Sequence, residues 1–363
     1  MRKVPFLDLR ITDALERKEL LEAVDKVFDH GRLTLGPEVK ELEELLAKYC
    51  GRRFAVGMNS GTTALFLALK AVGIGKGDEV ITTSLSWIAT ANAIALTGAT
   101  PVFADIQNDL NIDPASVKKL ISKSTKAIVP VHFTGKVCRM DEIMALAQDQ
   151  HLIVIEDAAQ AFGASFNGRP AGSFGALASF SMNPMKVFAS CGDAGAIVLD
   201  DEKLYNRLVA LRYNGTVRRE ECIEVSLNGR MDTLQAAILL KRLPRVDKII
   251  ASRREIALQY TKLLKGCIEL PCEKTGDVDA YYTFMIQTEK RDELKKYLEE
   301  CGVETKIQHP ILMPNQPAHA GISRGEYPNA TRLVKRILCL PCNEKLSSDD
   351  VEYVAQCIRK FFE

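Results

Sequence analysis

The chain of 363 residues has no excess of charge of either sign and no long apolar run. Its 48 lysines and arginines balance 47 acidic residues to a net charge of +1, with no basic cluster that would line a nucleic-acid groove. No apolar stretch approaches the length of a membrane span. Residues 1–10 lack the charged-then-apolar pattern of a signal peptide. We therefore expect a cytoplasmic protein that binds neither nucleic acid nor membrane.

Cysteine and histidine are present, but without the spacing that a metal site needs. The ten cysteines are widely and irregularly spaced, and only Cys339 and Cys342 form a CxxC, which has no second pair. The five histidines show no metal-ligand spacing. We predict reduced, mostly buried thiols and no metal.

Helices and strands alternate through most of the chain. Helices predicted at 13–29 and 37–49 come first. Apolar and β-branched runs then predict strands at 54–57, 80–84, 101–105, 127–132, 152–157, 178–182 and 194–199. Helical segments lie between several of them. This alternation is typical of an α/β domain layered around a mostly parallel sheet.

The pattern changes after about residue 245. A long charged helix at 248–264 leads to a strand at 280–287 and to helices at 291–300 and 348–361. These elements predict a smaller α+β domain. We therefore divide the chain into a large domain of residues 1–245 and a small C-terminal domain of residues 246–363.

The first candidate for chemistry is Ser60-Gly61-Thr62, at a junction from strand to helix. Unpaired backbone N–H groups and the dipole at a helix N-terminus bind phosphate, and glycine lets the backbone approach closely. The same residues also suit an ordinary Ser/Thr helix cap. They match neither a P-loop nor a GxGxxG fingerprint.

The next two candidates are an acid and a lysine, each just beyond a predicted strand. Asp157 and Gln160 lie at the carboxyl end of an apolar strand, where open α/β sheets bind ligands and where an acid can pair with a cationic ring nitrogen. Lys186 follows a Pro turn five residues after Ser181, and a lysine amine with a lowered pKa forms Schiff bases. Alternatively, Asp157 caps a helix or is a surface acid, and Lys186 is a solvated surface residue.

Two further candidates are an aromatic residue and an arginine. Trp87, the only tryptophan, begins a predicted helix and is suited either to stack on a cofactor ring or to pack in the core. Arg230 precedes a helical stretch at 234–240, which Asp232 is placed to cap. Arg230 therefore faces a phosphate or carboxylate, or forms a surface ion pair.

The order of these signals is more informative than any one of them. A phosphate-type cap, an aromatic residue, a strand-end acid and a serine before a lysine occur in that order along the chain. Pyridoxal 5′-phosphate (PLP) has a phosphate, a flat ring, a pyridinium nitrogen and an aldehyde. Each part of that cofactor thus has a candidate partner.

With these motifs the chain closely resembles the DegT/DnrJ/EryC1/StrS family of PLP-dependent nucleotide-sugar aminotransferases. The resemblance runs from residues 4–9 to Leu340-Pro341. Its most specific segments are residues 60–65, 156–160, 179–186 and 228–237. It implies PLP-dependent transferase fold type I, which is aspartate-aminotransferase-like, with a large mixed seven-stranded sheet domain that binds PLP and a small C-terminal α+β domain. It also implies a homodimer with shared active sites.

The family's residue roles carry over to matching positions of this chain. The resemblance implies that Lys186 holds PLP as a Schiff base, that Asp157 pairs with the pyridinium nitrogen and that Gln160 contacts the ring hydroxyl. It further implies a phosphate site of Gly61, Thr62 and Ser181 completed by Asn228 of the partner, ring stacking by Trp87, and an acidic substrate group bound by Arg230.

The resemblance also implies the reaction. An amino group moves from L-glutamate to a nucleotide-linked keto-sugar, as in amino-sugar biosynthesis for lipopolysaccharide or other polysaccharides. Residues 190–196, Ser-Cys-Gly-Asp-Ala-Gly-Ala, resemble members that aminate C3, so we expect a UDP- or dTDP-3-keto sugar, such as UDP-3-keto-N-acetylglucosamine or its uronic acid. His309 stands in a segment that departs from the family pattern, and either contacts the substrate or packs in its loop.

Three alternatives stay open at this point. The acceptor is instead a 4-keto-6-deoxysugar or a cyclitol ketone, or the chain is a non-catalytic regulator that has kept the fold. A related class that removes a hydroxyl has histidine in place of the Schiff-base lysine, and Lys186 argues against it.

Overall fold

A computed structural model describes residues 2–218, 220–322 and 325–363. The helices are α1 (Ala14–His30), α2 (Pro37–Tyr49), α3 (Gly61–Ala71), α4 (Ala89–Leu96), α5 (Pro114–Leu120), α6 (Met140–Asp149), α7 (Glu202–Leu211), α8 (Thr233–Arg242), α9 (Val246–Leu264), α10 (Arg291–Glu300), α11 (Pro328–Leu333) and α12 (Ser348–Phe362). Within the described ranges, no helix is both long and apolar enough to cross a membrane.

The strands include short two-residue pairs as well as the members of two larger ladders. They are β1 (Phe54–Met58), β2 (Glu79–Thr83), β3 (Thr100–Ala104), β4 (Thr125–Val129), β5 (Ile153–Asp157), β6 (Ser165–Phe166), β7 (Arg169–Pro170), β8 (Leu177–Ser181), β9 (Gly195–Leu199), β10 (Thr216–Val217), β11 (Glu221–Cys222), β12 (Phe284–Gln287) and β13 (Ile337–Leu340).

The main sheet has seven strands in the order β1-β9-β8-β5-β4-β2-β3. Neighbours from β8 to β3 are parallel, whereas β9 runs antiparallel to both β1 and β8. Apolar clusters cover both faces of the sheet, one against α2 and α6 and the other against α3 and α7. The predicted fold, an α/β layer around a mixed seven-stranded sheet, is confirmed.

A second unit follows from α9 onwards. The antiparallel pair β12–β13 packs with α9, α10 and α12 around a cluster that includes Tyr260 and Phe284. Val4 from the N-terminal segment joins this cluster, and its N–H donates to the carbonyl of Gly302 at 2.9 Å. The division at residues 245 and 246 stays a prediction.

Two strand predictions were too long, and the backbone explains both. The strand predicted at 127–132 ends at Val129 because Pro130 has no N–H to donate to a ladder. The strand predicted at 280–287 begins only at Phe284. Before it, the N–H of Ala280 donates to the carbonyl of Gly135 in the large domain, so this stretch links the two units instead of extending the small sheet.

Candidate active site

The predicted site residues of the large domain meet at the carboxyl ends of the parallel strands. Asp157 ends β5, Ser181 ends β8, and Gly61 opens α3 directly after β1. Asp157 and Ser179 lie opposite each other in the β5–β8 ladder. Because parallel strands end at one edge of the sheet, residues more than a hundred positions apart form one site.

A phosphate-sized cradle forms where α3 begins beside the end of β8. Ser60 caps α3, and its hydroxyl oxygen accepts the N–H of Thr63 at 3.1 Å. The N–H groups of Gly61 and Thr62 come before the helix ladder begins. A Cβ added to Gly61 would lie 2.6 Å from Cβ of Ser181, so only glycine allows this approach. The segment is therefore a helix cap, and an anion site there stays a prediction.

Asp157 is held at both carboxylate oxygens. The Thr90 hydroxyl donates to Oδ2 at 2.7 Å, and the N–H of Ala159 donates to Oδ1 at 3.2 Å. The side chain is buried, since Asp157 is only 7% exposed. The alternative of an ordinary surface acid is therefore wrong. An oriented carboxylate with room for a further donor is suited to a cationic ring nitrogen.

The neighbouring Glu156 points to the opposite side of β5 and anchors the fold behind the site. Its carboxylate accepts His132 Nε2 at 2.9 Å and the N–H groups of Gly172, Phe174 and Gly175 at 2.7–2.8 Å. Burial raises the pKa of Glu156, but the His132 contact and the backbone donors outweigh it and lower the pKa below its usual value.

Gln160 has a defined amide orientation. The N–H of Thr134 donates to Gln160 Oε1 at 2.9 Å, so the NH₂ group is the end left to donate elsewhere. Thr134 adopts φ 62° at the turn that connects to the small unit. The tight turn thus fixes the amide of Gln160, and its contact with a ligand ring stays a prediction.

Lys186 lies just beyond β8 and is partly buried. Asn183 builds the turn that presents it, because its carbonyl accepts the Lys186 N–H at 2.9 Å. Lys186 Nζ is 4.4 Å from the ring centroid of Tyr282. Burial lowers the pKa of Lys186 to about 8, with Asp157 opposing the shift and Lys306 adding to it. The amine is thus available as a nucleophile and base near neutral pH.

Aromatic residues line the other side of the site. Trp87 is 60% exposed, so its alternative role as a core residue is wrong. Its ring centroid lies 5.7 Å from that of His309, which lies 5.8 Å from that of Phe133. Burial, Lys306 and Lys186 lower the pKa of His309 to about 4, so this imidazole is neutral at physiological pH.

Asn228 and Arg230 lie beside the end of β1, next to the segment that leads into α3. The carbonyl of Asn228 accepts Asn59 Nδ2 at 2.9 Å, and its Oδ1 accepts Arg230 Nε at 2.8 Å. The Arg230 guanidinium lies 4.8 Å from the ring centroid of Tyr213. The cap prediction for Asp232 is half right: Asp232 is the N-cap of α8, but its side chain makes no cap hydrogen bond, and its backbone bridges to Thr34 instead.

Several residues of the site escaped the sequence analysis. They are Thr90 and His132 in the large domain and Tyr282, Lys306 and Gln308 in the small one. Thr90 follows Trp87 by one helical turn, so its spacing from Trp87 could have indicated that it lies near the site. The others come from distant segments, and no local pattern marks them.

Comparison with known proteins covers nearly the whole chain. A profile described as the DegT/DnrJ/EryC1/StrS aminotransferase family matches residues 14–359. A "Pleiotropic regulatory protein" of Geobacillus stearothermophilus is 37% identical over 99% of this chain and 98% of its own length. A dTDP-3-amino-3,4,6-trideoxy-alpha-D-glucose transaminase of Streptomyces venezuelae is 38% identical over 99% of this chain and 97% of its own length. A UDP-N-acetyl-3-dehydro-alpha-D-glucosamine 3-aminotransferase of Acidithiobacillus ferrooxidans is 37% identical over 98% and 97%.

Solved structures share the fold over the same extent. DesV of S. venezuelae, in complex with a ketimine intermediate, superposes with a TM-score of 0.97 at 38% identity, over 100% of this chain and 99% of its own. NtdA of Bacillus subtilis, with the cofactor PMP (pyridoxamine phosphate) bound, has a TM-score of 0.93 at 31% identity, over 100% and 86%.

Proposed function

Because the chain belongs to the DegT/DnrJ/EryC1/StrS aminotransferase family and is a PLP-dependent sugar aminotransferase, we propose that it carries the amino group of L-glutamate to C3 of a nucleotide-linked 3-keto sugar. The nucleotide is UDP or dTDP. UDP-3-keto-N-acetylglucosamine or its uronic acid is the most specific candidate. The observation that carries the proposal is Lys186, an amine with a pKa of about 8 at the centre of a site with a partner for each part of PLP.

The residues present fit the cofactor. The cradle of Gly61, Thr62 and Ser181 would hold the phosphate, because the close approach of Gly61 to Ser181 brings the serine hydroxyl beside the free N–H groups of a helix N-terminus. Asp157 would meet the ring nitrogen, and the NH₂ of Gln160 would donate to the ring hydroxyl. Trp87 would cover the ring face. When bound, PLP supplies an electron sink for the transferred amine.

Lys186 has two roles in this proposal. Its amine would hold the cofactor covalently, and the free amine would be the base that moves a proton within the site. The lowered pKa suits both, since each needs the neutral amine. The adjacent Tyr282 ring, at 4.4 Å from Nζ, limits where the amine can swing.

The segment after Lys186 supports a 3-keto acceptor. Residues 190–196 resemble C3-aminating members, and two of the relatives are named for 3-amino or 3-dehydro sugars. Asp193 of this segment accepts Asn183 Nδ2 at 2.9 Å and so supports the turn that presents Lys186. His309, neutral beside Trp87, is placed to contact the sugar.

Purified protein reconstituted with PLP and mixed with L-glutamate tests the first half-reaction. We expect the visible band to shift as the cofactor is converted to pyridoxamine phosphate. Matched NDP-3-keto and NDP-4-keto sugars are then added, and the products are read by mass spectrometry. Lys186→Ala is the control and should be inactive. Amination of the 4-keto sugars alone would overturn the C3 assignment, and no response to glutamate would overturn the glutamate donor.

The second copy is also part of the proposal. Asn228 and Arg230 would complete the partner's site, from an exposed surface beside Asn59. An inactive Lys186→Ala protein and an inactive Asn228→Asp protein are mixed and reassembled. A shared site gives one native site in each mixed dimer and restores about a quarter of the normal activity. If both residues serve one chain's own site, the mixture stays inactive.

A further inference from the structure

Thr90 is a buried polar residue on an apolar helix, and its hydroxyl is directed at the cofactor site. It is 2% exposed, near the start of α4, among buried residues such as Ala91, Ala93 and Ile94. Threonine is a poor helix former, and in helices its hydroxyl often bonds to the carbonyl one turn back. Here it donates instead to Asp157 Oδ2, at 2.7 Å and 67 positions away.

We propose that Thr90 is a positioning residue that holds Asp157 and Trp87 in one frame around the cofactor ring. The inference rests on the proposed roles of those two residues. Trp87 and Thr90 belong to the same turn, since the N–H of Thr90 donates to the carbonyl of Trp87 at 3.2 Å. The Thr90 hydroxyl then connects this turn to the end of β5. Helix α4 thereby supports the ring face and the partner of the ring nitrogen together.

The hydrogen bond also sets the direction of the carboxylate. Among the described residues, the N–H of Ala159, at 3.2 Å on Oδ1, is the one other hydrogen-bond donor to the Asp157 side chain. Charge-assisted hydrogen bonds are the stronger ones in proteins, so losing the Thr90 bond would loosen Asp157. With PLP bound, a looser Asp157 would hold the ring nitrogen less firmly in its protonated form. The ring would then withdraw fewer electrons from the nitrogen that Lys186 contributes, and the pH midpoint of the visible band would rise.

The test compares Thr90→Val, Thr90→Ser and Thr90→Cys in the PLP-loaded protein. The first readout is the pH midpoint of the visible band without substrate. We expect Thr90→Val to raise it by about one pH unit, which is the scale of one hydrogen bond to a charged group. In the glutamate half-reaction we expect a rate constant lower by about tenfold with an apparent KM within about twofold. Thr90→Ser should restore both, and Thr90→Cys should fall between.

A role in packing alone predicts the opposite order. Valine conserves the shape of threonine whereas serine leaves a void, so a packing role would leave Thr90→Val normal and perturb Thr90→Ser. Thr97→Val is the matched control, because the Thr97 hydroxyl of the α4 C-cap donates to the carbonyl of Ile94 at 2.7 Å, away from Asp157. If thermal unfolding shows that Thr90→Val is not folded, Thr90→Cys takes its place. A hydrogen-bonding role then predicts a larger shift in Thr90→Cys than in Thr90→Ser.

The outcomes separate this inference from the proposed function. A native protein with PLP that shows no visible band, or no response to glutamate, contradicts the proposed function itself. The role of Thr90 is overturned if the native protein shows the visible band and responds to glutamate, but Thr90→Val has the same pH midpoint as the native protein. An equal shift in Thr97→Val overturns it as well, since that variant keeps the bond to Asp157.

Discussion

Gly61→Ala should weaken PLP binding while leaving the fold intact. The added Cβ would lie 2.6 Å from Cβ and 3.0 Å from Cα of Ser181, closer than real Cβ contacts. The N-terminus of α3 and the end of β8 must therefore move apart, and these two elements form the phosphate cradle. Overpacking of this kind costs about 1–3 kcal/mol. We expect the variant without PLP to relax by opening the cradle, so that most of that strain appears on binding, as a Kd about 5- to 150-fold higher.

The assay is titration of the protein with PLP, followed by absorbance or by quenching of fluorescence. Gly75→Ala is the control, because the nearest atom to its added Cβ is the Thr97 carbonyl oxygen at 3.8 Å, an ordinary contact. We expect that variant to bind PLP as the native protein does. A Gly61→Ala protein with native PLP affinity and native thermal stability would show that the cradle does not depend on the approach of Gly61 to Ser181.

Three further predictions concern titration and stability. The rate at which the protein captures PLP should rise with pH around a midpoint near 8, because the pKa of Lys186 is about 8 and only the neutral amine attacks. Stopped-flow absorbance measures this rate. A capture rate that does not change from pH 6 to pH 9 would contradict the prediction. Glu156→Gln should lower the free energy of unfolding by about 1–3 kcal/mol, since it removes a buried carboxylate that accepts three backbone N–H groups and contacts His132. Folding lowers the pKa of Glu156, so the stability that this carboxylate contributes is present above the ordinary glutamate pKa and is lost in acid. Denaturant unfolding at several pH values should show that loss in the native protein and not in Glu156→Gln. The imidazole of His309 should titrate near pH 4 by NMR, and a midpoint near 6.5 would contradict its burial.

Much of the fold followed from local patterns. The helix predicted at 37–49 coincides with α2, the one at 348–361 is one residue shorter than α12, and the one at 13–29 lies one residue before α1, because amphipathic spacing and caps act within a few residues. Among the described elements, the helices α5, α7 and α11, the two-residue strands and β13 were missed. The apolar run of β13 is only four residues long and is a strand because β12 pairs with it.

The candidate site divides in the same way. The motifs around Gly61, Asp157 and Lys186 are contiguous, and each implies a chemistry from its residue types alone. Tyr282 and Gln308 lie in the second unit, and no sequence motif around them indicates that they belong to the site. Tyr282 reaches Lys186 only because the second unit packs against the first, whereas Gln308 contacts its neighbour in the chain, His309.

By itself, therefore, the sequence determined most of the helices, the seven strands of the main sheet, the α/β class and the identity of the chemical groups. Tertiary structure decided which of those groups meet. The approach of Gly61 to Ser181, the bond from Thr90 to Asp157 and the pKa of Lys186 all join residues distant in the chain. The reason is physical: steric approach, hydrogen bonding and electrostatic shifts depend on distance and burial in space, and chain spacing encodes these only within a helix turn or a strand.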